Sequence, residues 1–388
     1  MNTEKTEYTE HTKYTEYTDR LAKIEAVLAK WLPQSPDTAW VEAVFGRLSH
    51  DGENPLAGSV APDMAKTLTL PGWDLVNRGG KRWRPLLMLL TAESISGDRG
   101  ADFALPLTPL VEFPHNASLI HDDIEDNATE RRGKPAVHLL YGMDTAINSG
   151  AFMYFLPLAC LSSWSQAANA DPKAAVKREQ VWALWASHMR ALHVGQSMDI
   201  AWHRDFHSLP SLDEYLRMCR LKTGCLARFA AVLGVHCASF ADSALGETEV
   251  THLSAAFARA AEQLGVGFQI LDDEKNLRTG VPGKKRGDDI VEGKKSLPIL
   301  LYLHRYPHQR DFTARCFAAA RTSGVEAPEL ELLINELEKS GVLDEAREKG
   351  LNFIKESQRA FSDPISGSFY LQPKGQELLS GLIDLLQS

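Results

Sequence analysis

From Asp19 to the C-terminus the apolar residues recur at three- and four-residue intervals, and alternating β-branched runs between turn signals are missing. Leu21, Ile24, Val27, Leu28 and Leu32 share one helical face, and further helical stretches are expected at about 81–97, 103–128, 134–165, 174–206, 211–240, 247–279, 291–305, 328–360 and 374–387. The pattern predicts an all-α fold. Its weakest segments are the Gly/Pro/Asp-rich stretch at 49–64 and the Gly/Lys/Asp-rich break at 279–293, and neither reads as an interdomain linker. One helical domain is therefore expected over 19–388. Isolated glycines inside helical patterns, Gly267 among them, lower helix stability. Residues 3–18 form a degenerate Thr-Glu-Tyr repeat without aliphatic side chains, too little apolar surface to offset the entropy of ordering, so residues 1–18 are expected to be a disordered tail.

With 42 Lys+Arg against 51 Asp+Glu the chain carries a net charge of −9, which leaves no basic excess for a phosphate backbone. Nucleic acid is not an expected partner. The longest apolar stretch read from the sequence, Ala151 to Trp164, is shorter than the roughly 20 residues that cross a bilayer, so no stable membrane insertion is expected. The five cysteines, Cys160, Cys219, Cys225, Cys237 and Cys316, include no Cys-x-x-Cys pair and read as buried free thiols in a reducing compartment. The N-terminus resembles neither a signal nor a transit peptide, and a cytoplasmic location is expected.

The chemistry is concentrated in two acidic motifs. In HNASLIHDDIEDNATERRG, Asp122 and Asp126 are four residues apart and lie about 40° apart on one helical face, while Asp123 lies about 100° round from Asp122. Both members of the first pair can reach one cation. A bare DDxxD is more often a solvated acidic face, but Ala117, Leu119 and Ile120 just upstream make this helix apolar, where uncompensated carboxylates are costly. A second pair, Asp272 and Asp273, ends another apolar helix in GVGFQILDDEKNL, with Asn276 four residues after Asp272. Oxygen ligands without His or Cys select Mg²⁺, whose shell is completed by water and substrate phosphate. Basic segments surround both motifs: Lys81 to Arg84, Arg131-Arg132, Lys222-Thr223 and the run Lys284 to Asp289. Arg binds diphosphate oxygens through its fork and Lys as a point charge. Together the motifs describe a diphosphate site bridged by Mg²⁺.

The sequence resembles the trans-isoprenyl diphosphate synthases over about Leu75 to Leu300. SLIHDDIEDNATERRGKPAVHLLYG matches their first aspartate-rich motif, and GFQILDDEKNL with KKRGDDIVEGKKSLPIL matches the second with its Lys-bearing loop. DDIEDN, AINSGAFMYF, LHVGQSMDIAWHRD and the DDxxNL form look most like the geranylgeranyl diphosphate synthases of the eukaryotic type. The resemblance implies an isoprenoid synthase-type bundle around a central cavity, a homodimer, and condensation of an allylic diphosphate with isopentenyl diphosphate. It implies metal binding by Asp122, Asp126 and Asp272, with Asp123, Asp273 and Asp289 around them, and a catalytic role for Lys222. Arg131, Lys222 and Lys285 would hold the allylic diphosphate, and Lys294 is a further substrate-binding residue. Lys81, Arg84, His115 and Arg132 would hold isopentenyl diphosphate, with Thr223 and Gln269 as polar groups near the substrates. Asn276 stands where many members carry a third Asp, which removes one charge from the second motif.

Product length would be set by how far the tail descends between helices. Ala117 and Ser118, about one turn before Asp122, are small and would let it pass, whereas Tyr154, Phe155 and His193 match the residues that close the pocket at a twenty-carbon product. Farnesyl or longer products are the alternative. An isoprenoid cyclase should show an NDxxSxxxE-like second motif, and a non-catalytic regulatory subunit should have lost carboxylates; the chain has DDEKN, GGKRWRP and both acidic clusters.

Overall fold

The computed structural model describes residues 2–46, 60–167, 174–280, 285–362 and 371–387. Its helices begin with α1 (Asn2–Trp31), α2 (Thr38–Phe45), α3 (Pro62–Asn77), α4 (Trp83–Ala104), α5 (Pro109–Glu125) and α6 (Val137–Tyr141). Then come α7 (Met143–Phe155), α8 (Pro157–Ala167), α9 (Ala174–Arg204), α10 (Leu212–Cys219), α11 (Cys225–Ala241) and α12 (Glu247–Arg278). The last six are α13 (Asp288–Glu292), α14 (Leu297–Arg305), α15 (Arg310–Ser323), α16 (Pro328–Lys339), α17 (Val342–Ser362) and α18 (Pro373–Gln387). A π-helical turn, Arg220–Gly224, joins α10 to α11. The only strands among the described residues, Glu130–Arg131 and Lys134–Pro135, form a short antiparallel ribbon. The all-α expectation holds.

Boundaries differ where local chemistry interrupts a hydrophobic period. The stretch expected at 81–97 runs on to Ala104 through a kink at Ser96 and Gly97, where Gly97 takes a φ of 63°. The stretch at 134–165 divides into three helices, with Gly142 at φ 89° opening α7 and Pro157 starting α8. Residues 47–59, most of the weak 49–64 segment, and Lys284 lie outside the described residues.

α11 is the centre of the molecule. It is buried nearly all round, which is why its sequence, CLARFAAVLGVHCASFA, shows little polar stripe, and α4 and α12 pack directly against it. α12 passes through two adjoining clusters of buried side chains, contributing Leu253, Phe257 and Leu264 to the larger and Val266, Ile270 and Leu277 to the smaller. The changeover is at Gly267. A methyl group there would lie 2.6 Å from Ile354 and 2.8 Å from the Gly350 carbonyl, so the glycine that weakens the helix is what lets α17 close on it.

The expected tail boundary is corrected by α1, which contains residues 15–18. Tyr17 is buried and its hydroxyl donates to the Leu378 carbonyl at 2.6 Å, so an aromatic ring packed on α18 supplies the burial that the missing aliphatic residues could not. Arg20, one turn on, pairs with buried Glu93 of α4 at 2.6 Å. All five cysteines are free and buried. Two runs, Met143–Trp164 and Leu212–Ala241, are long and apolar enough to cross a membrane, the first extending the stretch read from the sequence. The first is broken at Pro157, and 78% of the apolar window in the second is buried within the fold.

Candidate active site

A cavity opens between α5, α9, the π-turn and α12, and both acidic motifs reach it: Asp122 from α5, and Asp272, Asp273 and Asp289 from α12 and α13. Asp126 caps the C-terminal end of α5 one turn beyond Asp122, with its amide donating to the Asp122 carbonyl at 2.8 Å. Asp122 and Asp126 each meet a lysine. Asp122 Oδ1 accepts from Lys222 Nζ at 3.1 Å and from Gln196 Nε2 at 2.9 Å, and Asp126 Oδ2 accepts from Lys294 Nζ at 2.9 Å. Lys222 also donates to Asp199 at 2.6 Å. Burial works against the Lys222 charge, yet Asp122 and Asp199 hold its pKa above the ordinary lysine value.

The π-turn brings Lys222 to this position. A methyl on Gly195 would lie 2.6 Å from the Leu221 carbonyl carbon, so α9 crosses the turn at backbone contact and sets Gln196 and Asp199 beside Lys222. π-helical turns inside α-helices are frequent at functional sites. The next residue, Thr223, donates to Gln269 Oε1 at 2.6 Å, and Gln269 Nε2 donates to Asp273 Oδ1 at 2.7 Å. Of the second acidic pair, Asp272 is exposed to the cavity mouth and Asp273 is buried.

Asp123 points the other way, fully buried, where Arg131 Nε donates to its Oδ1 at 2.8 Å. Burial works against the Arg131 cation, and Asp123 keeps it firmly protonated with its guanidinium at the cavity wall, 3.7 Å from Asp122. Asn276 is likewise a holding residue. Its Oδ1 accepts the Asp289 amide at 3.2 Å while its Nδ2 donates to the Lys285 carbonyl at 3.3 Å, a donor and acceptor pair that a carboxylate could not supply.

The basic wall is Arg84 and His115, with Arg84 Nη1 3.4 Å from His115 Nε2 and the guanidinium 4.4 Å above the Trp83 ring. The buried Arg84 Nε has no hydrogen-bond partner among the described residues. Burial, opposed in part by Glu112, brings the Arg84 pKa down to about 10, and burial together with Arg84 and Arg132 keeps His115 neutral. A buried guanidinium short of acceptors beside a neutral imidazole is a cradle for an anion.

Not every expected ligand is here. Arg132 stands behind this wall, donating to the Leu75 carbonyl at 3.0 Å and to Asn116 Oδ1 at 3.1 Å, and Lys81 is exposed outside the cavity. Lys285 lies on an outer hollow with Asp126, Asp288 and Glu292. Its distance from the cavity follows from the Gly287 turn, where φ is 84° and the chain swings away before α13.

Among the described residues, no three His, Cys, Asp or Glu side chains already form a metal cage. The donors nonetheless fit a hard divalent cation. They are all carboxylates, on facing helices, and burial pushes Asp126 up to about 7 even with Lys294 in contact, which marks a carboxylate short of positive charge. Asp122 and Asp272 line the opening and Asp126 faces the adjoining hollow one turn beyond Asp122, which would leave the rest of a cation's shell to water and phosphate.

The family model for polyprenyl synthetase matches residues 65–330. The chain belongs to the polyprenyl synthetase family. A geranylgeranyl pyrophosphate synthase of Rhodocybe pseudopiperita is 36% identical over 214 residues, covering 53% of this polyprenyl synthetase and 55% of that relative. The chain thus spans about half the length of the curated relatives it matches at this identity. One from Neocamarosporium betae is 27% identical over 92% of both chains. Among solved structures, a geranylgeranyl pyrophosphate synthetase from Pyrococcus horikoshii Ot3 superposes with a TM-score of 0.72 at 22% identity, covering 98% of this chain and 99% of that one, and shows the same fold.

The pocket floor differs from expectation in this synthetase. Phe155 is 61% exposed on the outer side of α7, His193 is exposed on α9, and Tyr154, although buried, packs between the His121 and His193 rings without lining the cavity. Adjacent helical residues point about 100° apart, so Tyr154 and Phe155 cannot face one channel together. Ala117 is fully buried off the cavity for the same reason, while Ser118 lines it. The residues that do line the apolar end are Leu119, Leu192, Leu226 and Phe268. Ser118, Leu192 and Leu226 each stand one turn from a polar residue of the site, namely Asp122, Gln196 and Lys222. Sequence reasoning found Ser118 but missed Leu192, Gln196, Asp199 and Leu226. Their signal was the spacing of Leu192, Gln196 and Asp199, four and then three residues apart on one helical face.

Proposed function

We propose that this polyprenyl synthetase joins an allylic diphosphate to isopentenyl diphosphate head to tail, in a Mg²⁺-dependent reaction whose product is geranylgeranyl diphosphate. The observation that carries the reading is one cavity lined by Asp122 and Asp272 from two separate motifs, with Lys222, Arg131, Arg84 and His115 lining it as well. Mg²⁺ held by Asp122, Asp126 and Asp272 supplies Lewis-acid and electrostatic stabilisation of the diphosphate leaving group.

Lys222, Lys294 and Arg131 face the same diphosphate and meet the negative charge that grows as the allylic C–O bond breaks. Arg84 and His115 hold the diphosphate of isopentenyl diphosphate so that its double bond faces the allylic carbon. A C–C bond forms there, and the proton lost from the new chain goes to the departing pyrophosphate. The tail extends into the layer of Ser118, Leu119, Leu192 and Leu226. Leu139, Leu140, Met143 and Ile147 form an exposed apolar strip on α6 and α7 that a second copy of the chain would cover, in keeping with a homodimer. Five buried free thiols suit a reducing, cytoplasmic setting.

The test is turnover of labelled isopentenyl diphosphate by the pure chain with Mg²⁺ and dimethylallyl, geranyl or farnesyl diphosphate, followed by chromatography of dephosphorylated products. A twenty-carbon product that disappears with chelator supports the reading. No incorporation with any primer overturns it.

A further inference from the structure

Tyr215 of α10 has no part in the residues assigned so far, yet it is fully buried against the second acidic motif. Its hydroxyl donates to Asp273 Oδ2 at 2.7 Å. The other carboxylate oxygen accepts from Gln269 Nε2 at 2.7 Å, and Gln269 Oε1 accepts from Thr223 Oγ1 at 2.6 Å. The four side chains form one continuous hydrogen-bonded chain from α10 through α12 to the π-turn.

The direction of this chain is determined by its chemistry. With Tyr215 donating to Oδ2, Asp273 Oδ1 accepts from the Gln269 amide, which turns its NH₂ to Asp273 and its carbonyl to Thr223. The Thr223 hydroxyl proton is then used on that carbonyl, and toward the cavity the threonine offers lone pairs alone. A donor at that point would repel the electron-poor carbon that forms when the C–O bond breaks, whereas an acceptor favours it. Tyr215 has only one proton to give, and giving it to Asp273 pins the carboxylate rotamer on which the amide direction depends.

We infer that Tyr215 is a positioning residue for the reaction: through Asp273 and Gln269 its hydroxyl orients Thr223 so that the wall beside Lys222 presents acceptors to the reacting carbon. The inference rests on the proposed condensation. Tyr215 stands at the cavity wall with its hydroxyl committed to Asp273, so its role belongs to the chemical step and not to substrate affinity.

The experiment compares wild type, Tyr215→Phe, Gln269→Leu and the double variant in steady-state condensation with labelled isopentenyl diphosphate. Tyr215→Phe is expected to lower kcat by about tenfold or more, with both KM values within about twofold, the scale typical of losing a group that orients a ligand. In the Gln269→Leu background the same change is expected to add little, because both act through one chain. Equal losses in the two backgrounds, a rise in KM in place of a fall in kcat, or a lower melting temperature with unchanged kcat would each overturn it. If Tyr215→Phe does not fold, 3-fluorotyrosine at 215 keeps the side chain and strengthens the donor; turnover at or above wild type supports the inference and a fall overturns it. An inactive wild type refutes the condensation itself, whereas an active wild type with an indifferent Tyr215→Phe refutes only the positioning role.

Discussion

Lys294 Nζ lies 2.9 Å from Asp126 Oδ2 although the two residues are 168 positions apart in the chain. Lys222 holds Asp122 in the same way. The two lysines meet the first acidic motif, and a diphosphate bound there through a cation would arrive at the same ammonium groups. If those carboxylates hold a divalent cation, Lys222 and Lys294 would be free for phosphate oxygens.

Asp122→Ala and Asp272→Ala should therefore keep the helical fold and lose condensation by about a thousandfold or more, since the leaving group loses its metal-borne stabilisation. Chelation of wild type should do the same, reversibly. Circular dichroism and single-turnover assays check it, and near-normal turnover in either folded variant sinks the metal assignment.

Arg84 and His115 separate the two diphosphates. Because Arg84 lies beside His115, about two helical turns before Asp122, with its Nε unpartnered among the described residues, Arg84→Ala should raise KM for isopentenyl diphosphate about tenfold or more and leave that of the allylic substrate nearly unchanged. An effect confined to the allylic substrate would place the isopentenyl site elsewhere.

How much of this was legible beforehand depended on the range of the interactions. The DDxxD spacing and the apolar residues before it are local, so the first motif and its helix could be read directly from the chain. The assignments to Lys81, Arg132 and Lys285 came from position beside a motif, and charge adjacency in sequence does not say which side of a helix end a long side chain leaves. Tyr17 shows the same limit at the other end, since the partner that orders it, the Leu378 carbonyl, is 361 residues away. Phe155 and His193 were misplaced because a matching motif reports register but not the rotation of the helix in this bundle. Asn276 looked like a lost charge and is a two-sided hydrogen-bonding residue, a role visible only once the Lys285 and Asp289 backbone is beside it.

His115 gives a pH signature. Burial, then Arg84 and Arg132, depress its pKa well below the ordinary histidine value, so the free site carries a neutral imidazole near pH 7. An arriving diphosphate offsets those arginines and raises the pKa, so binding takes up a fraction of a proton. Apparent affinity for isopentenyl diphosphate should then improve as pH falls from about 8 to 6, and His115→Gln should abolish the trend. Calorimetry in buffers of different ionisation enthalpy measures the uptake directly; proton release, or an unchanged slope in the variant, contradicts it.

The product-length prediction moves from α7 to the facing helices α9 and α11. One turn below Asp122, Gln196 and Lys222 the cavity is lined by Ser118, Leu192 and Leu226, and one further turn down the His188 and Phe229 rings meet at 5.4 Å, with Phe229 fully buried. That ring pair closes the direction in which a tail descends. Ser118 is too small to stop a tail, so on the proposed condensation Leu192 would be the first gate and Phe229 the stop. Leu192→Phe should narrow the channel and shift products from twenty carbons toward fifteen. Phe229→Ala should open it and lengthen them, at a stability loss of about 3–5 kcal/mol that calls for a melting curve beside the assay. Phe155→Ala, on the exposed face, should leave the profile of the isolated subunit's channel as it is. Chromatography of dephosphorylated products reads all three: folded Leu192→Phe and Phe229→Ala proteins with the wild-type profile, or a lengthened product in Phe155→Ala alone, would return the floor to α7.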